Sequence, residues 1–199
     1  MPSDDIIRRM LEHEAYLDAG SPKVVFDIVQ SFKAETFFLK TYVPKTHRAK
    51  DRFYTLGVSR VSDFPAFLET IAELSKQEEG GLVAIFSQVV SKTALRHIPM
   101  MDFSNSIVKN YGTDRVKEIM EDLGQRSGVI LNSGRCFHFY GFLPLSHIEW
   151  ISLMNRSSSF DEIGINYPKY QIEDGGCSLR LSTSPYRPNL PKVVDFIRI

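Results

Sequence analysis

Three short segments of this 199-residue chain each interrupt an apolar strand pattern with one charged or reactive side chain. Side chains alternate across a strand, so residues two apart share a face. In Ile98-Pro99-Met100-Met101-Asp102-Phe103-Ser104, Asp102 and Ser104 share one side, opposite Met101 and Phe103. In Cys136-Phe137-His138-Phe139-Tyr140, His138 lies with Cys136 and Tyr140, opposite the two phenylalanines. In Ser178-Leu179-Arg180-Leu181-Ser182, Arg180 lies with the serines, opposite the leucines. A carboxylate, an imidazole and a guanidinium on the polar sides of three strands could together serve a metal, a phosphate and a charged ligand in one cleft. Each also has a structural explanation. Asp102 could cap the helix that follows, His138 could be a satisfied histidine among aromatics, and Arg180 could solvate an edge strand. The recurrence on three strands is what points to a site.

A fourth candidate is electrostatic. Lys40, Lys45, Arg48, Lys50 and Arg52 cluster against one acid, Asp51, as a solvated loop or a phosphate-binding patch for nucleic acid. Over the whole chain the charges balance, with 24 Lys and Arg against 24 Asp and Glu, so no global field draws in a polyanion. Apolar residues make up 43%, an ordinary globular value. No apolar run approaches the ~20 residues of a membrane span, and the acidic start Met1-Pro2-Ser3-Asp4-Asp5 lacks the form of a secretory signal. A soluble cytoplasmic protein with no membrane partner is expected. The two cysteines, Cys136 and Cys177, are far apart in sequence, so neither a disulfide framework nor a cysteine zinc site is expected.

The elements that must position these residues follow from periodicity and punctuation. Residues 24–29, 36–43, 53–59, 82–90, 97–103, 128–132, 136–142 and 177–182 read as strands, with a short hairpin through Ser133-Gly134-Arg135. Residues 5–18 can form an amphipathic helix. Asp63 can cap a second, and a third runs from about Ser106 to Leu123 with a break at Tyr111-Gly112-Thr113. Ser146-His147-Ile148-Glu149 has the form of a capping box for a fourth. Segment 160–176 is less regular, and a tail broken by Pro185, Pro188 and Pro191 closes the chain. The predicted class is α/β (α+β): a mixed, largely antiparallel sheet with helices on one face and a polar cleft on the other.

The hairpin segment, Ser133-Gly134-Arg135 followed by Phe137-His138, resembles the Ser-Gly-x-x-h-His signature (h being apolar) of the archaeo-eukaryotic primase and primase-polymerase superfamily. Cys177-Ser178-Leu179-Arg180-Leu181-Ser182, with its proline-rich tail, is similar to the family's later Ser-Leu-Arg strand. The segment His97-Ile98-Pro99-Met100-Met101-Asp102-Phe103-Ser104 stands where that family carries its first metal motif, Asp-x-Asp. Order and spacing agree across residues 82–195. The resemblance implies one primase-like domain over 1–199 with an RRM-like core, residues 1–81 forming an N-terminal subregion and 82–199 carrying the motifs. It implies Asp102 as the catalytic carboxylate and a metal ligand, with Mg²⁺ or Mn²⁺ as cofactor. Ser133, Gly134, Arg135, His138 and Arg180 would hold the triphosphate. Nucleotidyl transfer uses divalent ions on carboxylates to activate the attacking hydroxyl and neutralise the leaving pyrophosphate. Backbone N–H groups of a Ser-Gly turn can cradle phosphate oxygens, and a protonated histidine or an arginine adds charge.

The sequence departs from that pattern at two places. The second carboxylate of the first motif is replaced by Ser104, which carries no charge. The third should lie between His138 and Arg180, where Asp161 and Glu162 are available but Asn166 aligns best. Asp161 is taken as a second metal ligand. One sure carboxylate holds an Mg²⁺ pair poorly. The expected function is a single-Asp, primase-like domain that binds nucleotide triphosphate or single-stranded nucleic acid, with weakened catalysis. An active nucleotidyltransferase using Asp102 and a further carboxylate is the alternative, and a structural partner subunit a second. At this length, any helicase, nuclease or other effector it needs would be a separate chain.

Overall fold

The β-branched run from Val24 to Val29 reads as a strand, but in the computed structural model it is helix α1 (Ser21–Ser31). Val24, Val25, Ile28 and Val29 are all buried. Their spacing marks one helical face, and Pro22 falls in the first turn, where its missing N–H breaks no bond. Burial of that face overrides local strand propensity. The structure describes residues 16–44, 51–61, 63–77, 79–92, 94–164 and 166–198. Most of the expected helix over 5–18, and Lys45, Arg48 and Lys50, lie outside them.

After α1 come β1 (Thr36–Tyr42), β2 (Arg52–Gly57) and α2 (Phe64–Ser75), whose cap Asp63 accepts the Ala66 N–H at 2.9 Å. Next are β3 (Leu82–Ser91), β4 (Ala94–His97), β5 (Met100–Asp102), α3 (Asn105–Asn110) and α4 (Gly112–Asp122). The expected break falls between α3 and α4, where Gly112 takes φ +74°. The hairpin β6 (Gly128–Asn132) and β7 (Phe137–Gly141) leads to α5 (His147–Ser157). Ser146 and Glu149 form the capping box of α5 reciprocally. Two elements were not expected: α6 (Tyr167–Asp174) and β9 (Lys192–Ile197), which follow β7 on either side of β8 (Ser178–Arg180). No described helix is long and apolar enough to cross a membrane.

The class is the predicted α+β with antiparallel pairing, and its strands divide between two sheets. One runs β2-β1-β3-β4, with β8 also paired to β3. The other runs β5-β7-β6-β9. The segment 97–103 is the dividing point. Pro99 has no N–H to donate to a ladder, so β4 stays with the first sheet and β5 joins the second. Ile98 still donates to the Ser87 carbonyl at 2.7 Å, while the Pro99 carbonyl accepts from Gly141 at 2.8 Å. In the first sheet Lys40, Ala84 and Arg180 pair in one row, and Tyr42 and Ser178 share their face. Leu39, Ile85 and Leu179 alternate to the opposite, buried face. Helix α2 packs on β3, and β5 packs on β8, which brings Asp102 of one sheet to Arg180 of the other.

At the same junction His97 is fully buried and stacked on Trp150, with ring centroids 4.5 Å apart. Its Nδ1 is 3.2 Å from Ser87 Oγ and its Nε2 3.1 Å from His147 Nδ1. Burial, reinforced by His147, pushes its pKa down from 6.5 to about 4. Below 6.5 the unfolded chain takes up a proton that the fold refuses, so His97 costs stability as pH falls from 6.5 towards 4. Urea unfolding at pH 7 and pH 5 should therefore show a loss in acid that is smaller in His97→Gln than in wild type. An equal loss in both proteins would contradict a neutral buried His97.

Candidate functional site

Asp102 and His138 are direct cross-strand partners on β5 and β7. Asp102 Oδ1 lies 3.6 Å from His138 Nε2, beyond hydrogen-bond length. Asp102 Oδ1 and His138 Nδ1 are both buried without a hydrogen-bond partner among the described residues. Cys136 precedes His138 by two and shares its face, so its Sγ, the carboxylate and the imidazole have ligand atoms within 4.8 Å of one another. Burial lowers the His138 pKa; Asp102 opposes that shift, and Arg180 and Arg187 add to it. The imidazole is therefore neutral at pH 7 and does not supply the positive charge expected of it. Burial, and then the Asp102 charge, push the Cys136 thiol up to about 12.

The Ser133-Gly134 turn is built differently from a phosphate cradle. Its N–H groups are already paired, Ser133 to the Cys136 carbonyl at 2.9 Å and Gly134 to Asn132 Oδ1 at 2.7 Å. Ser133 Oγ also donates to the Cys136 carbonyl at 2.8 Å. Gly134 takes φ +88°, and a Cβ there would come within 2.8 Å of Asn189 Nδ2, so only glycine fits. The turn holds Arg135 exposed at the rim and directs the Ser133 carbonyl at Arg180.

Arg180 is buried, and its guanidinium donates to three backbone carbonyls: Ser133 at 2.5 Å, Ser182 at 3.4 Å and Asn189. A guanidinium has five N–H donors, so Nε–H and one Nη2–H remain for a ligand. Two cleft residues escaped the sequence reading. Arg187 sits in the proline-rich tail, placed by a tight Ser184–Arg187 turn whose paired hydrogen bonds measure 3.0 and 2.9 Å. Tyr42, at the end of β1, has its phenol raised to about 12, chiefly by burial. A charged residue between prolines signals little by itself, because its direction is set by that turn.

These groups line two adjoining cavities. The inner is walled by Asp102, Ser133, Cys136, His138, Arg180 and Arg187. The outer, about 510 Å³, shares Tyr42, Asp102, Arg135, Ser178 and Arg187 with it and extends to Lys40, Asp174 and Tyr186. Lys40 is no free cation, since its Nζ lies 2.7 Å from Asp51 and 3.9 Å from Asp174. Arg52 is on the exposed strand β2. Asp161 is exposed on the short turn Asp161–Ile163 and lines neither cavity. Glu162 is engaged by Arg115 at 2.8 Å. Ser104 precedes α3, its Oγ 2.6 Å from Ser106 Oγ.

The sequence profile of AEP-like, archaeo-eukaryotic primase 1D-like domains matches residues 63–192, which is well over half of the chain. The chain belongs to this primase family. Its fold is similar to the catalytic domain of primase RepB' in complex with initiator DNA (TM-score 0.54, 11% identity, 89% of this chain and 85% of that one). It is also similar to the AEP domain of the primase-polymerase of cyanophage S-2L (TM-score 0.50, 13% identity, 87% of each chain). No curated protein matches the sequence significantly. Domains of this primase type are typically metal-dependent, yet a pair of Mg²⁺ ions does not fit this cleft. Mg²⁺ takes only oxygen donors, and although it keeps several waters and shares substrate phosphates, each ion of a pair still needs one or two carboxylates. Here one carboxylate is joined by a sulfur and a nitrogen.

In this primase-like domain Arg180 holds the turn before it holds any ligand. Arg180→Met leaves three carbonyls without their donor and should lower the unfolding free energy by roughly 2–4 kcal/mol, measured by urea denaturation. A loss below about 1 kcal/mol would show those bonds to be incidental.

Proposed function

We propose that this domain binds the phosphates of a nucleotide triphosphate or of single-stranded nucleic acid, and polymerises weakly or not at all. The observation that carries the reading is the charge arrangement of the cleft. Among the described residues, Arg135 and Arg187 make no side-chain hydrogen bond or ion pair, and both face a cavity of about 510 Å³. Ligand pockets run to ~300–1,000 Å³, so the space suits a nucleotide. The buried cation Arg180 lies behind them in the inner cavity, whose one carboxylate is Asp102, while Asp51 and Asp174, which also line the outer cavity, are engaged by Lys40. Guanidinium pairs suit phosphate because their forked donors match its oxygens. The initiator DNA in the RepB' complex supports nucleic acid as one form of the ligand. Catalytic weakening follows from Ser104, which leaves the first motif with one charge, and from Asp161, which stands away from the cleft.

Arg135 and Arg187 provide the clean test, because neither is tied into the fold as Arg180 is. Each alanine variant should weaken ATP or oligonucleotide binding about tenfold or more, the worth of ~1.5–3 kcal/mol for a charge-assisted bond. Affinity should also fall as salt rises. Calorimetry on both variants at two salt concentrations checks this. Unchanged affinity in the double variant would remove the cleft as the phosphate site.

A further inference from the structure

The donor set that rejects a magnesium pair suits a different ion. We infer that Asp102, Cys136 and His138 form a binding site for one zinc-class transition ion, with a fourth position open to the cleft. This inference goes beyond the phosphate-binding reading and does not rest on it. It replaces Asp161 as the partner of Asp102, and it sets aside the expectation that the cysteines hold no metal. That expectation rested on the absence of a second nearby cysteine. The fold supplies the missing donors instead from a neighbouring strand and from two residues along the same one.

Several independent features support the assignment. Thiolate, imidazole and carboxylate are the donors zinc prefers, and three protein ligands with an open fourth position are the usual arrangement where the ion meets a ligand. The three donor atoms lie within 4.8 Å of one another. Bond lengths of about 2.0–2.3 Å place tetrahedral ligand atoms about 3.3–3.8 Å apart. The 3.6 Å between Asp102 and His138 already matches that spacing, and the thiol has about an ångström to close. His138, whose Nε2 faces Asp102, is only 4% exposed, and Asp102 Oδ1 is a buried polar atom with no hydrogen-bond partner among the described residues. Such atoms are costly unless something satisfies them. Ser133 Oγ, 3.1 Å from Cys136 Sγ, is placed to orient the thiol. On binding, the thiol releases its proton to solvent and the sulfur forms the metal bond, so one proton leaves per ion. Arg135 and Arg187 line the same cavity, so the open position faces groups that attract an anion.

The test uses the whole chain stripped with a chelator, then dialysed against Zn²⁺ or Co²⁺. The expected result is one ion per chain at micromolar metal, with a thiolate-to-cobalt charge-transfer band in the near ultraviolet. The band should vanish in Cys136→Ser and persist in Cys177→Ala, and a large excess of Mg²⁺ should not displace the ion. A measurement without variants uses alkylation and peptide mass. Zinc should slow modification of Cys136 in the wild-type chain. No stoichiometric binding, a band that survives in Cys136→Ser, no protection of Cys136, or displacement by Mg²⁺ would each overturn the assignment. ATP binding by the stripped protein reports on the arginines alone. Its failure would sink the phosphate reading and leave the ion site standing.

Discussion

The Arg180 guanidinium joins parts of the chain that no ladder connects. It leaves β8 in the first sheet and donates to the Ser133 carbonyl in the hairpin turn of the second. It also holds the carbonyls of Ser182 and Asn189, at either end of the tail that carries Arg187. A buried cation is tolerated when its donors are occupied, and here the occupied acceptors define the cleft wall. The backbone carbonyl of Arg180 in turn accepts from Ser21 Oγ at 3.2 Å, tying the start of α1 to the same point. The clamp thus fixes the turn that carries Arg135 and the two ends of the segment that carries Arg187.

Around that clamp the charges are unequal. In the inner cavity three guanidinium groups face one carboxylate and the histidine is neutral, while in the outer one Lys40 engages Asp51 and Asp174. Such a surface is what the proposed phosphate binding draws on. It offers little to a pair of hard cations that need several oxygen ligands. The family fold is kept while the carboxylate set of its first motif is reduced to Asp102, and the proposed separation of binding from polymerisation rests on that difference.

Much of this was legible in the sequence. Strand alternation placed Asp102, His138 and Arg180 on polar faces, and the Ser-Gly-Arg…His pattern led to the family that the profile shows. The caps at Asp63 and Ser146 and the break at Gly112 were readable because each rests on local chemistry. The failures share a cause. Val24–Val29 has the composition of a strand but is buried along a helical stripe. Segment 97–103 splits at Pro99 because each half meets a different sheet. Strand β9 follows a proline-rich tail and exists through pairing with β6, a partner more than fifty residues away. The Ser133 and Gly134 amides are already bonded inside their own turn, which a motif does not reveal. Cys136 was seen to share the His138 face, but its place beside Asp102 depends on the β5–β7 register.

The central claim is that this primase fold retains a phosphate site without a polymerase's set of carboxylates. The most direct measurement is primer synthesis and extension on single-stranded DNA with labelled nucleotides, in Mg²⁺ and in Mn²⁺, with Asp102→Asn protein alongside. The account predicts no product above that control from a folded wild-type chain that binds nucleotide. Product made by the wild type and lost in Asp102→Asn would contradict it, and would require a second carboxylate to join Asp102 in the inner cavity.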